Sequence, residues 1–325
     1  MHPSVVSRQS LLVLLCCVFA VSAAAQQYPN RPVRMLVPTT PGGSVDTIAR
    51  TIGPKLSERW GQQIVVDNRP GAGGTIAGDL AAKAPADGYV VLLGTIASLC
   101  TNSILQKKLP YDPVKDFAPV TLVATQNLML VVHPSIPAKT VKELIRFAKS
   151  QPGKLSFASA GNGTGSHLSG ELFKQVAGLD ILHIPYKGVQ PAMVDVISGQ
   201  VAINFPSILS GTPHLRSGRV RALAVTGGKR SRAVPELPTM QEAGMKNYES
   251  ATWYGIVAPA GTPQDVINKL SGEVVAILKQ PETNDRLSKE GADPVGSTPQ
   301  EFGRFIQSEI EKWRKVIRAA GIQPS

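Results

Sequence analysis

The sequence predicts an α/β protein built from two lobes, and three observations carry that prediction. Apolar runs of strand length alternate with helix-period segments along most of the chain, the pattern of mainly parallel sheets flanked by helices. A strand, a glycine-rich turn and a helix start occur together twice, at Pro41-Gly42-Gly43-Ser44-Val45-Asp46 and at Gly161-Asn162-Gly163-Thr164-Gly165-Ser166. No repeat, low-complexity tract or linker separates the two units, so short segments join the lobes.

Residues 1–25 read as a secretory signal that is removed on export. Arg8 is its only charged residue, residues 11–20 form an apolar core too short to span a bilayer, and Ala23-Ala24-Ala25 is a small-residue cleavage site. Cys16 and Cys17 lack the preceding small residue that lipid attachment needs. Of the 3 cysteines only Cys100 then remains, so packing rather than a disulfide must hold the exported chain together. The remaining length suits two cores of ordinary domain size. Cys100 lies in an apolar stretch, as a buried small hydrophobe would.

The formal charge is +11, with positive residues scattered apart from short clusters such as Lys107-Lys108 and Lys229-Arg230-Ser231-Arg232. Aromatic residues make up 5% and no basic run alternates with them, so no nucleic-acid partner is expected. Attraction of small anions is the better use of this charge.

The elements follow in order. Val33-Arg34-Met35-Leu36-Val37 is the first strand. Beyond the first loop, Val45, Ile48, Ala49, Ile52 and Leu56 recur at helical spacing. Gln63-Ile64-Val65-Val66 is a strand, Asn68-Arg69-Pro70-Gly71-Ala72-Gly73-Gly74 a loop, and residues 76–83 a helix. Tyr89-Val90-Val91-Leu92-Leu93 is a buried strand ending at Gly94-Thr95. Thr140 and Glu143 have the spacing of a capping box, starting a helix with Val141, Leu144, Ile145 and Ala148 on one face. The strand 155–159 precedes the second loop, after which Leu168, Leu172, Phe173 and Val176 share a helix face. Residues 201–205 and 220–225 are strands. Thr262 reads as an N-cap with Pro263 at the first helical position, ahead of a stripe from Val266 to Leu278. Thr298-Pro299-Gln300-Glu301 is a second capping box, and Phe302, Phe305, Ile306, Ile310, Trp313 and Ile317 form the last stripe. These C-terminal helices are expected to pack back on the first lobe.

A helix N-terminus behind a glycine turn presents unpaired N–H groups and about half a positive charge, which favours an anion. Two of them suggest two lobes gripping one acidic small molecule. On the first loop the candidate contacts are Thr40, Gly42, Gly43, Ser44 and Asp46; on the second they are Asn162, Thr164, Gly165 and Ser166. Ser44 either only caps its helix or also meets the ligand. Asp46 would repel a carboxylate, so ordering the loop or a bridging water suits it better than binding a ligand amino group. Thr95, Ser98 and Ser207 follow strands, at the sheet edge where such folds bind ligands, and either face the cleft or pack. His167 suits a structural role better than ligand contact. Lys187 bridges the lobes, touches an acidic ligand, or sits in a plain surface turn, the last suiting it slightly better. Trp253 and Tyr254 either close over the ligand or belong to the core.

Several chemistries find no support. Ser166 and His167 are adjacent on a helix and point apart, and there is no Gly-x-Ser-x-Gly elbow. The histidines are dispersed and form no metal motif, so neither a metal nor a cofactor is expected. Gly71, Gly73 and Gly74 lack the Lys-Ser or Lys-Thr pair of a phosphate loop.

The chain resembles the periplasmic solute receptors of tripartite tricarboxylate transporters, the Bug family, over almost all of the exported portion. The marks are Pro41-Gly42-Gly43-Ser44-Val45-Asp46-Thr47-Ile48-Ala49-Arg50, Asn68-Arg69-Pro70-Gly71-Ala72-Gly73-Gly74 and Gly163-Thr164-Gly165-Ser166-His167-Leu168, then Pro185-Tyr186-Lys187-Gly188, Arg221-Ala222-Leu223-Ala224-Val225-Thr226 and Leu237-Pro238-Thr239-Met240-Gln241-Glu242-Ala243-Gly244. The resemblance implies a two-lobed, type II-like periplasmic-binding-protein fold with the ligand cleft between lobes. It implies lobe one over residues 27–124 plus 250–325 and lobe two over 125–249. It also implies a non-enzymatic monomer that holds an organic carboxylate, often through ordered water, and serves membrane permease subunits. A sensor feeding a membrane signalling partner would carry the same receptor sequence. One departure stands out: many relatives carry a bulky or aromatic residue before the first loop, where this chain has Thr39-Thr40.

Overall fold

A computed structural model of the chain describes residues 28–319, 321, 322 and 324. The expected signal segment, residues 1–25, lies outside the described residues. Apolar runs, buried over most of their length, build the first sheet. β1 (Val33–Val37) lies between β2 (Ile64–Asn68) and β3 (Val90–Thr95), parallel to both. α1 (Ser44–Trp60) joins β1 to β2, and α2 (Thr75–Ala82) precedes β3. A π turn at Ala97–Thr101 and the short α3 (Asn102–Leu105) lead to β4 (Phe117–Asn127).

β4 carries the chain out of this sheet, and β5 (Met129–Val132) enters the second one two residues later. There follow α4 (Val141–Ser150), β6 (Ser156–Ser159), α5 (Gly165–Ala177), β7 (Leu182–Pro185), α6 (Val189–Ile197), β8 (Ile203–Asn204), α7 (Ile208–Arg216) and β9 (Arg221–Val225). β10 (Ala251–Pro259) brings the chain back, and α8 (Gln264–Leu278), α9 (Pro281–Lys289), β11 (Ala292–Pro294) and α10 (Pro299–Ala319) complete it. The first sheet has the order β11-β4-β10-β3-β1-β2 and the second β7-β6-β8-β5-β9.

Both sheets are mixed, which corrects the mainly parallel expectation. β10 runs antiparallel to β3 and β4, β11 to β4, and β5 to β8 and β9. The cause is the crossing between sheets: β4 leaves the first sheet and β10 re-enters beside it, so the pair must run in opposite directions. Their register places Ala251 opposite Asn127, at the crossing itself.

Strand alternation divides the first sheet's core between its two faces. Val33, Met35 and Val37 pack with Ile48, Ile52 and the α8 stripe; Leu36 and Leu92 pack with Leu99, Phe302 and Trp313. The C-terminal helices therefore do cover the first sheet. In the second sheet Leu130 and Val132 face Leu144, Phe157 and Phe173, while Met129 and Val131 face Met193 and Val196. Cys100 is buried, and desolvation pushes its thiol pKa up. Trp253 and Tyr254 belong to the core. Trp253 Nε1 and Trp313 Nε1 each donate to Glu309 Oε2 at 2.9 Å, and the Tyr254 hydroxyl donates to Gln126 Oε1 at 2.6 Å.

Both capping boxes form. Glu143 N donates to Thr140 Oγ1 at 3.2 Å and Thr140 N to Glu143 Oε2 at 3.2 Å; the Thr298–Glu301 bonds measure 3.2 and 2.9 Å. At α8 the cap is Pro263, not Thr262, because the Thr262 hydroxyl donates to the Pro259 carbonyl instead. The strand expected over 201–205 is only Ile203–Asn204, where pairing with β5 and β6 is available.

Candidate functional site

The first glycine loop is tied down from beneath by Asp46. Its carboxylate accepts from Gly42 N at 2.9 Å, Arg50 Nε at 3.0 Å and Asn68 Nδ2 at 3.0 Å. Burial alone would raise the Asp46 pKa, but those hydrogen bonds and the Arg50 charge outweigh it and hold the pKa below the usual carboxylate value. Asn68 Nδ2 also donates to the Thr39 carbonyl at 3.0 Å. Asp46 thus orders the loop with its oxygens engaged.

The second loop is held by its own helix. Thr164 caps α5, its hydroxyl donating to Gly161 O at 2.6 Å, and Ser166 Oγ accepts from Ala160 N at 2.9 Å. Gly163 N donates to His167 Nδ1 at 3.0 Å. The neutral ring alone can accept that bond, so the proton sits on Nε2. Desolvation lowers the His167 pKa to about 4 and that of His183 to about 3. His167 is therefore structural, and its ring nitrogen serves Gly163 rather than Ser166.

His167, Glu171 and His183 bring ligand atoms within 4.8 Å of one another. The imidazoles, however, stack face to face at 4.1 Å and 21°. Ring nitrogens converge on an ion edge-on, and Nδ1 of His167 is already taken, so the cluster suits packing rather than metal ligation.

The two lobes meet along these loops. Ser44 Oγ, in the first turn of α1, donates to Ser207 Oγ, the cap of α7, at 2.9 Å. Thr101 Oγ1 donates to Gly163 O at 2.6 Å. A Cβ on Gly73 would stand 3.2 Å from Asn162 O, one on Gly165 3.0 Å from Thr252 Cβ, and one on Gly188 3.9 Å from Thr40 Oγ1. Hydroxyls and backbone groups make these contacts. The Ser44–Ser207 bond brings the N-termini of α1 and α7 together, and helix N-termini favour an anion.

The other sequence candidates fall around this seam. Thr40, Gly42 and Asn162 are exposed at the loop tips, while Gly43, Gly165 and Ser166 are buried. Thr95 and Ser98 are paired, with Thr95 N donating to Ser98 Oγ at 3.0 Å, and Ser98 is fully buried. Lys187 is exposed. Sequence reasoning missed Gly73, Thr101 and Asn102, which meet the second loop from the opposite lobe. It noted Thr39 only as a departure from the family pattern. Asn102 Nδ2 donates to Gly73 O and to Thr75 Oγ1, both at 3.1 Å, fixing the loop over residues 68–74 against α3.

Residues 48–322 match the Tripartite tricarboxylate transporter family receptor family. The chain belongs to this family. Protein BugT of Bordetella pertussis is 38% identical over 303 residues, covering 93% of each chain. Among solved structures, Rpa4515 of R. palustris with adipate is 40% identical at a TM-score of 0.89, covering 92% of this chain and 100% of that one. MatC of Rhodopseudomonas palustris with bound malate is 33% identical at a TM-score of 0.83, covering 89% and 100%. This receptor therefore shares the two-lobed periplasmic-binding fold of the Bug proteins.

Proposed function

We propose that this chain is a periplasmic solute-binding receptor, exported by its N-terminal signal. It captures a small organic carboxylate between its lobes and hands it, without catalysis, to the membrane permease of a tripartite tricarboxylate-type transporter. Residues 27–124 plus 250–325 act as one lobe and 125–249 as the other, working as a monomer. The observation that carries this reading is the meeting of the α1 and α7 N-termini at Ser44 and Ser207, together with the bond from Thr101 to the second glycine loop at Gly163. Gly43, Ser44, Gly165 and Ser166 supply backbone N–H donors from the first turns of their helices. Charge-assisted bonds of about 1.5–3 kcal/mol each need only a handful to reach about −8 kcal/mol, a micromolar affinity. The adipate and malate held by the two relatives have the chemistry such a seam suits.

The test begins with protein stripped of ligand by unfolding and refolding. Melting temperature is then measured with adipate, malate, citrate, acidic amino acids and aromatic acids. A ligand at about 100 times its Kd adds about 2.7 kcal/mol, a rise of several degrees at this size. A folded protein whose melting temperature no carboxylate moves would refute the reading.

A further inference from the structure

The second glycine loop rests on two stacked imidazoles. Phe157 and Ser159 alternate onto one face of β6, and the register of β7 sets His183 opposite Phe157 on that face. The His183 ring stacks on Phe157 at 4.8 Å and 24°, and on His167 of α5 at 4.1 Å and 21°. Desolvation keeps both imidazoles neutral, so they stack without charge repulsion. The charged groups facing them are Glu171 and Lys174 of α5, which pair with each other at 3.0 Å. An apolar ring would pack as well. What the imidazoles add is one nitrogen each, and both nitrogens reach the loop. His167 Nδ1 accepts from Gly163 N at 3.0 Å. His183 Nε2 lies 2.6 Å from Ser159 Oγ, which in turn accepts from Gly161 N at 3.1 Å. Oγ keeps a lone pair for Gly161 whether the hydroxyl or the imidazole supplies the shared proton. Gly161 and Gly163 have φ +127° and +76°, and the freedom that lets glycine adopt such values must be restrained if the tip is to hold one shape. The tip between these two anchored amides is the part that meets the first lobe. Thr101 Oγ1 donates to Gly163 O, and Asn162 O lies 3.2 Å from where a Cβ on Gly73 would stand.

We infer that His183 is a positioning residue of the capture site: acting through the Ser159 hydroxyl, it sets the tip of the second glycine loop in the shape that meets the first lobe. This rests on the receptor reading above and deepens it. A loop that holds its capture shape for only part of the time loses apparent affinity in proportion to that fraction. His183 therefore acts on ligand affinity without touching the ligand.

The test uses stripped mature protein: wild type, Ser159→Ala, His183→Phe, which keeps a stacking ring without the nitrogen, the double variant of these two, and His183→Gln, which keeps a polar atom within reach of Ser159. Exchange of the Gly161 and Gly163 amide hydrogens is followed by NMR without ligand, and adipate and malate are titrated calorimetrically. Ser159→Ala and His183→Phe are each expected to speed exchange at Gly161 and to weaken binding about 5- to 10-fold. The double variant is expected to match Ser159→Ala within about twofold, because both changes cut one path. His183→Gln is expected to recover most of the lost affinity. Unchanged Gly161 exchange in either single variant overturns this inference, as does a full multiplication of the two losses in the double variant. So does wild-type affinity in His183→Phe, whatever its melting temperature, since the ring would then serve the fold alone. Each of these results leaves the receptor reading standing. Failure of wild type to bind any carboxylate removes the receptor reading, and this inference with it.

Discussion

Gly163→Ala separates the backbone strain of a loop from the contact it makes across the seam. Gly163 has φ +76°, where an added Cβ costs about 1–2 kcal/mol. The stiffer unfolded chain offsets about 0.4–1 kcal/mol of that. The net loss of about 1 kcal/mol acts whether or not the lobes touch, and lowers the melting temperature by roughly 2 °C. The added methyl would also stand 2.9 Å from Thr101 Oγ1, 3.1 Å from Leu105 Cδ1 and 3.3 Å from Asn102 Oδ1, all in the facing lobe. Ordinary contact is about 3.5–4.0 Å, so the lobes must part by several tenths of an ångström. The 2.6 Å Thr101–Gly163 bond would be strained or lost with them. Overpacking of about 1–3 kcal/mol and a lost bond of about 1 kcal/mol bear only on the lobes-together state. Ligand affinity is expected to fall roughly 10- to 100-fold, by calorimetry against whichever carboxylate the melting screen identifies. Gly178→Ala is the control: at φ +61° it carries like strain with nothing within 4 Å of its Cβ. Equal affinities for the two variants would refute the premise that the loops meet during capture.

Glu309→Ala leaves two buried indole N–H groups unpaired, at about 1–3 kcal/mol each. The expected outcome is a melting temperature lower by several degrees with shifted tryptophan fluorescence; an unchanged melt would refute it. Acid should weaken the fold through His167. Its folded pKa, about 4, lies below the unfolded value of about 6.5, so the unfolded state binds more protons between them. The stability contribution is complete above pH 6.5 and is lost at about 1.4 kcal/mol per pH unit as pH falls toward 4, and His167→Gln should flatten that slope in urea titrations.

Local signals in the sequence translated well where local chemistry decides. Thr140 and Glu143 sit three residues apart, and no distant contact is needed to form their box. The glycine loops sit between strand and helix because apolar spacing switches period at Val37 and Val45. Long-range partners were not legible. β4 includes Pro119 and is buried on both faces, so it shows neither alternation nor a clean boundary. Pro191 and Pro213 mask α6 and α7, where tertiary packing overrides poor propensity. Thr101 and Asn102 gain their importance from Gly163 and Gly73, far away in sequence. Asp46 was legible in part: like-charge repulsion argued for an ordering role, and Arg50 and Asn68 supply its partners.

The antiparallel β4–β10 pair has a mechanical consequence. Where the chain passes between sheets, its two strands lie side by side and hydrogen-bonded, with Asn127 opposite Ala251. A ribbon of two laddered strands bends readily out of its plane but resists shearing and swivelling, because either would break several backbone bonds at once. Such a ribbon favours bending between the sheets over sliding or twisting. An opening about this ribbon would retrace one arc and return the groups on either rim to the same partners. Loop residues could then change while the path of such a bend stayed as it was.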